Sequence, residues 1–220
     1  MTNSENIPVA APEKWMSGWD TIYKKMLGQS DEELKEYDSP YMVQMLLHAL
    51  MVSGRTDFSD VKVLELACGD GSGVCYLSKH GCIVEGIEAL ASAVSVANRR
   101  IKLLGLDDKA YVRLGDIDGW DLGVGTYDVI VILQSLQYLF DRAIPRLQEI
   151  LRAIKPGGFF VYSGNILPHF ETDPPIRFIT ENDLREELDG WTMHNFGTER
   201  FLIKPNDLRG YVRVIARKPE

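Results

Sequence analysis

Apolar residues recur every three or four positions at the start of the chain, and in short unbroken runs from residue 61 onward. In EKWMSGWDTIYKKML (13–27), Trp15, Trp19, Tyr23 and Met26 fall on one face of a helix. The segment YDSPYMVQMLLHALMVSG (37–54) predicts a second helix, with Ser39 as its cap, Pro40 at its first position and Gly54 as its stop. The rhythm then becomes strand, helix, strand. VKVLELA (61–67), CIVEGIE (82–88), AYVRLGD (110–116), YDVIVILQ (127–134) and GFFVYSG (158–164) predict strands. Residues 72–80, 89–105 and 140–155 predict the helices between them, the last ended by Pro156-Gly157-Gly158. TENDLREEL (180–188) predicts a final helix, capped by Thr180 with Asp183 three residues on. WTMHNFGTERF and GYVRVIARKP follow with no helix between them, which predicts an antiparallel pair. The expected fold is α/β: a doubly wound parallel sheet, an N-terminal helical segment and a C-terminal antiparallel hairpin.

Composition narrows this further. A chain of 220 residues, 45% of them hydrophobic, suits one α/β domain with an added terminal segment. No apolar run is long enough to span a bilayer. The start, MTNSENIPVAAPEK, lacks a basic end and an apolar stretch and reads as a flexible leader. A formal net charge of −8 without a dense Lys/Arg block disfavours nucleic acid as a partner. Three cysteines, Cys68, Cys75 and Cys82, form no CxxC pair and point to a reducing, cytoplasmic setting. His80 lies between two of them, as a metal site would allow, but small buried thiols are the expectation, with no metal.

The candidate chemistry centres on VLELACGDGSG (63–73). A phosphate-binding P-loop would need a lysine, and none is present. A dinucleotide loop would need GxGxxG, but Val74 occupies the third glycine position. The acid that would hold a ribose, Glu88, serves any ribose-bearing ligand. A third ligand type carries adenine, ribose and an amino acid with a sulfonium, and no phosphate. It needs a carboxylate near the end of the first strand (Glu65), close backbone approach (Gly69, Gly71), an acid after the second strand (Glu88) and an adenine partner after the third (Asp116). All three acids fall at the carboxyl ends of successive strands, where open α/β sheets bind ligands.

In order and spacing, Glu65-Leu-Ala-Cys-Gly69-Asp-Gly71, Ile87-Glu88, Gly115-Asp116, Tyr127-Asp128-Val129-Ile130-Val131 and Leu151-x3-Lys155-Pro156-Gly157-Gly158 resemble the motifs of class I S-adenosylmethionine-dependent methyltransferases. The resemblance implies a Rossmann-like seven-stranded sheet with its last strand antiparallel, and S-adenosyl-L-methionine as cofactor. The cofactor-binding set it implies is Tyr23, Glu65, Ala67, Gly69, Gly71, Glu88, Ala89, Asp116, Ile117 and Leu133. Two departures stand out: Ala67 replaces the usual first glycine, and Glu65 stands where aspartate is commoner.

Methyl transfer from a sulfonium needs alignment above all, and a base only where the nucleophile must lose a proton. The segments bordering an acceptor would be Gln134-Ser135-Leu136-Gln137-Tyr138, the loop 165–178 and the N-terminal helices. His169, Tyr138 and Gln134 are the candidates for direct chemistry, with a surface or packing role the plainer reading of His169. No [DNS]PP[YFW] motif follows the fourth strand, which speaks against base methylation. The overall pattern resembles small-molecule methyltransferases, including the tellurite- and thiol-detoxifying type. The expected organisation is a leader (1–12), a helical cap or lid (13–56) and a methyltransferase domain (57–220), acting on a small soluble acceptor. A catalytically silent cofactor-binding partner and, more weakly, a nicotinamide-dependent oxidoreductase are the rival readings. The oligomeric state is not legible.

Overall fold

The structure, a computed structural model, describes residues 12–166, 177–204 and 207–220. Three helices come first: α1 (Pro12–Leu27), α2 (Asp31–Lys35) and α3 (Tyr41–Val52). The sheet then grows through β1 (Lys62–Leu66), α4 (Ser72–Lys79), β2 (Ile83–Glu88), α5 (Ala91–Leu103), β3 (Ala110–Leu114) and β4 (Tyr127–Leu133). A 3-10 turn (Leu136–Arg142), α6 (Ala143–Ala153), β5 (Ile154–Asn165), α7 (Glu181–Glu187), β6 (Thr192–Lys204) and β7 (Asp207–Arg217) complete it. The seven strands lie in the order β3-β2-β1-β4-β5-β7-β6. β1 to β5 are parallel, and the hairpin β6–β7 joins through β7 running antiparallel to β5. This is the α/β architecture expected from the sequence, with strand order reversing between β1 and β4.

Alternation along each strand builds two separate cores. Val63, Val129, Val131, Phe159 and Val161 face α3, α4 and α5, packing with Leu46, Val74, Leu77 and Ile101. Leu64, Leu66, Ile130, Ile132, Phe160 and Tyr162 face α6 and α7, packing with Leu147, Ile150 and Leu184. Central strands buried on both faces explain the unbroken apolar runs. Cys68, Cys75 and Cys82 are buried free thiols, and burial pushes Cys75 and Cys82 up to about 12. Among the described residues no helix is long and apolar enough to cross a membrane.

Several boundaries differ from expectation for local reasons. Ser39 is not a helix cap: Pro40 occupies that position, and Ser39 instead accepts from Gln44 Nε2 through its carbonyl (3.0 Å) and hydroxyl (2.9 Å). The helix expected over 140–155 begins only at Ala143, because Phe140 takes φ +50° and breaks the turn before it. β5 starts at Ile154, four residues early, and absorbs Pro156-Gly157-Gly158 as an irregularity in its pairing with β4. The short helix α2, unforeseen, carries a capping box between Ser30 and Glu33. The capping box of Thr180 and Asp183 is present.

Two adjacent arginines of α5 fasten the N-terminal helices to the sheet domain. Arg99 donates to the carbonyls of Leu27 and Gln29, both at 3.1 Å, and pairs with Asp31 at 2.6 Å. Arg100 is 2% exposed. It donates to Leu34 O at 2.8 Å and to Asp70 O at 2.6 Å, and pairs with the Asp70 carboxylate at 2.8 Å. Its guanidinium also lies over the Tyr37 ring. Truncating it strands a half-buried carboxylate and two carbonyls, so Arg100→Met is expected to cost about 3 kcal/mol. Urea unfolding followed by circular dichroism checks this, and a loss below about 1 kcal/mol would contradict it.

Candidate functional site

The glycine-rich turn after β1 is shaped by three different close approaches. Gly69 (φ +56°) lies under Tyr23, whose hydroxyl sits 2.7 Å from where a Cβ would stand. Gly71 (φ +75°) lies against Ala97 of α5, also 2.7 Å from such a Cβ. Gly73 leaves room for the Glu65 carboxyl group. Asp70 accepts from Ser72 N (3.1 Å) and Ser72 Oγ (2.7 Å), holding the first turn of α4. The glycine that a dinucleotide loop uses for helix–strand packing has its counterpart on β2: Gly86 makes space for Val74 and Cys68.

Glu88 ends β2 with its carboxylate bridging two loops. It accepts from Gly69 N at 2.9 Å and Leu90 N at 3.0 Å, so β1 and β2 present their carboxyl ends at one level. Asp116, after β3, is exposed and accepts from Asp118 N at 2.9 Å, a turn that sets Ile117 into the interior. The capping and turn-forming roles open to these acids are therefore real, and each acid keeps lone pairs for a ligand.

A cavity of about 360 Å³ opens over these strand ends. Its walls include Ala67, Glu88, Ala89, Asp116, Ile117 and Leu133, with Gln134 and Tyr138 beyond β4 and Met16, Trp19 and Tyr23 from α1. Of the sequence-derived cofactor set, Tyr23, Ala67, Glu88, Ala89, Asp116, Ile117 and Leu133 meet here. Gly69 and Gly71 shape the turn behind it, and Glu65 lies beneath that turn, 4% exposed. Of the three candidates for direct chemistry, Gln134 and Tyr138 line the cavity, while His169 lies outside the described residues. Trp19, 51% exposed, belongs to this wall and not to the core, and the side chain of Trp15 is outside the described residues. His48 and His80 are exposed, and His194 packs on Phe159.

Among the described residues, the cavity wall holds two carboxylates and no Lys, Arg or His. A pyrophosphate would meet repulsion there without a compensating donor set, whereas a ribose or a cationic ligand would not. A second cleft of about 400 Å³ lies between the 118–124 loop and α6. Its buried Arg146 pairs with Glu149 and donates to Trp120 O.

Strain converges on the first cavity. The three non-glycine residues with positive φ among the described residues are Ala67 (+53°), Gln134 (+60°) and Phe140 (+50°), and all three line it. Gln134 is held by its own N–H to Ser163 O (2.7 Å), by its Nε2 to Ser163 Oγ (3.0 Å) and by Gln137 Nε2 to its carbonyl (2.9 Å). No sequence signal marked Phe140, Leu139 or Leu90 as lining residues, because their side chains are apolar and read as core, whereas Ser135 and Met16 fall in segments expected to border the acceptor.

A family model described as "Methyltransferase domain" matches residues 63–158. Over that stretch the chain is similar to methyltransferases, the name that its relatives and structural neighbours carry. It is 26% identical over 170 residues to phthiotriol/phenolphthiotriol dimycocerosates methyltransferase 1 of Mycobacterium ulcerans, covering 73% of this chain and 60% of that protein. It is 25% identical to the fatty-acid O-methyltransferase of Mycolicibacterium smegmatis, covering 74% of this chain and 58% of the relative. The chain thus spans about three fifths of the length of these two relatives. In fold it is similar to the crystal structure of a putative sarcosine dimethylglycine methyltransferase from Galdieria sulphuraria, with TM-score 0.66, 14% identity and coverage of 92% and 98% of the two chains.

Ala67 pays for its left-handed backbone because its Cβ crowds the adjacent carbonyl, at a cost of about 1 kcal/mol. Ala67→Gly is expected to raise stability by roughly that amount in thermal unfolding. An unchanged or lowered melting temperature would show that the Ala67 side chain contributes packing that outweighs its strain.

Proposed function

We propose that the cavity over the strand ends binds S-adenosyl-L-methionine and that the chain transfers its methyl group to a small, largely apolar acceptor by in-line displacement. The observation that carries this reading is the convergence of Glu88, Asp116, Ile117, Ala67 and Leu133 on one cation-free cavity. Glu88 would accept from the ribose hydroxyls, Asp116 from the adenine amino group, and Ile117 would flank the ring. Gly69 and Gly71 let the chain approach the amino-acid tail. Bound there, the cofactor supplies a methyl group on a sulfonium with a neutral thioether as leaving group.

The remaining work falls to this chain's own residues. The wall formed by Met16, Trp19, Tyr138 and Phe140 excludes water and holds an apolar acceptor beside Gln134. The carboxamide of Gln134, fixed by Ser163, offers a polar contact for the acceptor's reacting group. Orientation alone accounts for much of the rate of such a displacement. The relatives whose names specify dimycocerosates and fatty acids support an apolar, lipid-like acceptor. We read residues 13–56 as a cap whose first helix closes the cavity. Asp20 accepts from Ser92 Oγ at 2.6 Å and latches α1 to α5.

Trp19 on the wall provides the readout. Titration with S-adenosylmethionine is expected to change tryptophan emission and to saturate. Glu88→Ala should weaken binding roughly tenfold to a hundredfold, and Asp116→Ala by about tenfold, as expected for lost bonds to charged groups. Unchanged affinity in both variants would overturn the assignment.

A further inference from the structure

Among the described residues, Glu65 is the one buried acid that the cavity wall does not use. Its side chain leaves β1 toward the first turn of α4, where the absence of a Cβ on Gly73 makes room for it. It is 4% exposed, and its Oε2 is buried without a hydrogen-bond partner. The groups around it are nearly all acidic or neutral. Asp70 lies beside it on the turn, and the thiols of Cys68 and Cys75 lie near it on the turn and α4. Tyr23 of α1 closes the same region. Arg100, the buried cation that reaches Asp70, is spent on that carboxylate and two carbonyls. An ionised carboxylate in such a place has neither a partner nor water to stabilise it.

We infer that Glu65 is protonated while the cavity is empty and gives its proton to solvent when a ligand with a cationic amino-acid tail occupies the turn, so that it selects for that tail. The inference rests on the cofactor reading above and adds to it a proton released per ligand bound. A positive ammonium placed above Gly69 and Gly71 supplies the charge that Glu65 lacks, and the pair forms only with ligands that bring it. A nucleoside without the tail leaves Glu65 neutral and gains nothing from it. Burial and the neighbouring Asp70 push the free carboxyl up to about 8. The sign follows: binding lowers this value, so protons leave on binding, and affinity rises with pH until the free carboxyl has ionised.

Calorimetry of the full chain in phosphate and Tris buffers at pH 7 separates the outcomes, with S-adenosylhomocysteine and 5′-methylthioadenosine as probes. S-adenosylhomocysteine is expected to release up to about one proton per molecule bound, and to bind several-fold tighter at pH 7 than at pH 6. Methylthioadenosine, which lacks the tail, should release none. Glu65→Gln, which mimics the neutral acid, should abolish the release and flatten the pH dependence. Buffer-independent heats for S-adenosylhomocysteine, or release retained in Glu65→Gln, would overturn the inference. Should Glu65→Gln fail to fold, the contrast between the two probes on the unaltered chain decides it alone. No binding of either probe would instead sink the cofactor reading itself.

Discussion

The buried guanidinium of Arg100 is the contact on which the rest of the site depends. It joins three segments at one buried point: the carbonyl of Leu34 in the N-terminal helices, the carbonyl and carboxylate of Asp70 in the glycine-rich turn, and the body of α5. Burying a guanidinium costs several kcal/mol unless every donor is matched, and here carbonyls, a carboxylate and an aromatic face match it. Because Asp70 also holds Ser72 at the start of α4, the position of the turn is tied to the docking of the N-terminal helices through one side chain. Tyr23 can then lie over Gly69, and α1 becomes a wall of the cavity.

Above that knot, the two sheet faces are conventional in their packing, and among the described residues the non-glycine positions with positive φ all line the cavity. Ala67, Gln134 and Phe140 each sit where glycine would cost less, and each faces the same space. The surrounding hydrogen bonds over-determine at least one of them, since Gln134 is tied at its N–H, its carbonyl and its carboxamide. Strain of this kind persists where the fold supports a geometry that function requires. For Ala67 the structure supplies the cause that the sequence lacked: the position takes a left-handed backbone, which explains why glycine is usual there.

Much of this was readable before any coordinates. The doubly wound sheet follows from apolar runs alternating with helical periods, and the hairpin follows from two β-rich segments with no helix between them. Glu88 and Asp116 were legible because an acid at a strand's carboxyl end stands out against an apolar run. Arg100 was not, because its partners are backbone carbonyls and an acid 30 to 66 residues away, and main-chain acceptors leave no mark in sequence. The kink at Phe140 escaped for a similar reason, since a helical pattern continues through it and only φ reveals the break. Glu65 is legible as an acid at the end of the first strand, but its burial against Gly73 depends on a contact between a side chain and a missing Cβ.

The central claim is that the carboxyl ends of β1, β2 and β3 form one nucleoside site in which Glu88 is the ribose acceptor. A crystal structure of the protein grown with S-adenosylhomocysteine tests it most directly. The account predicts the ribose hydroxyls on the Glu88 carboxylate, the adenine between Ile117 and the cavity wall with its amino group on Asp116, and the tail over Gly69 and Gly71. Density for the ligand elsewhere, or a nucleoside bound with Glu88 untouched, would contradict it.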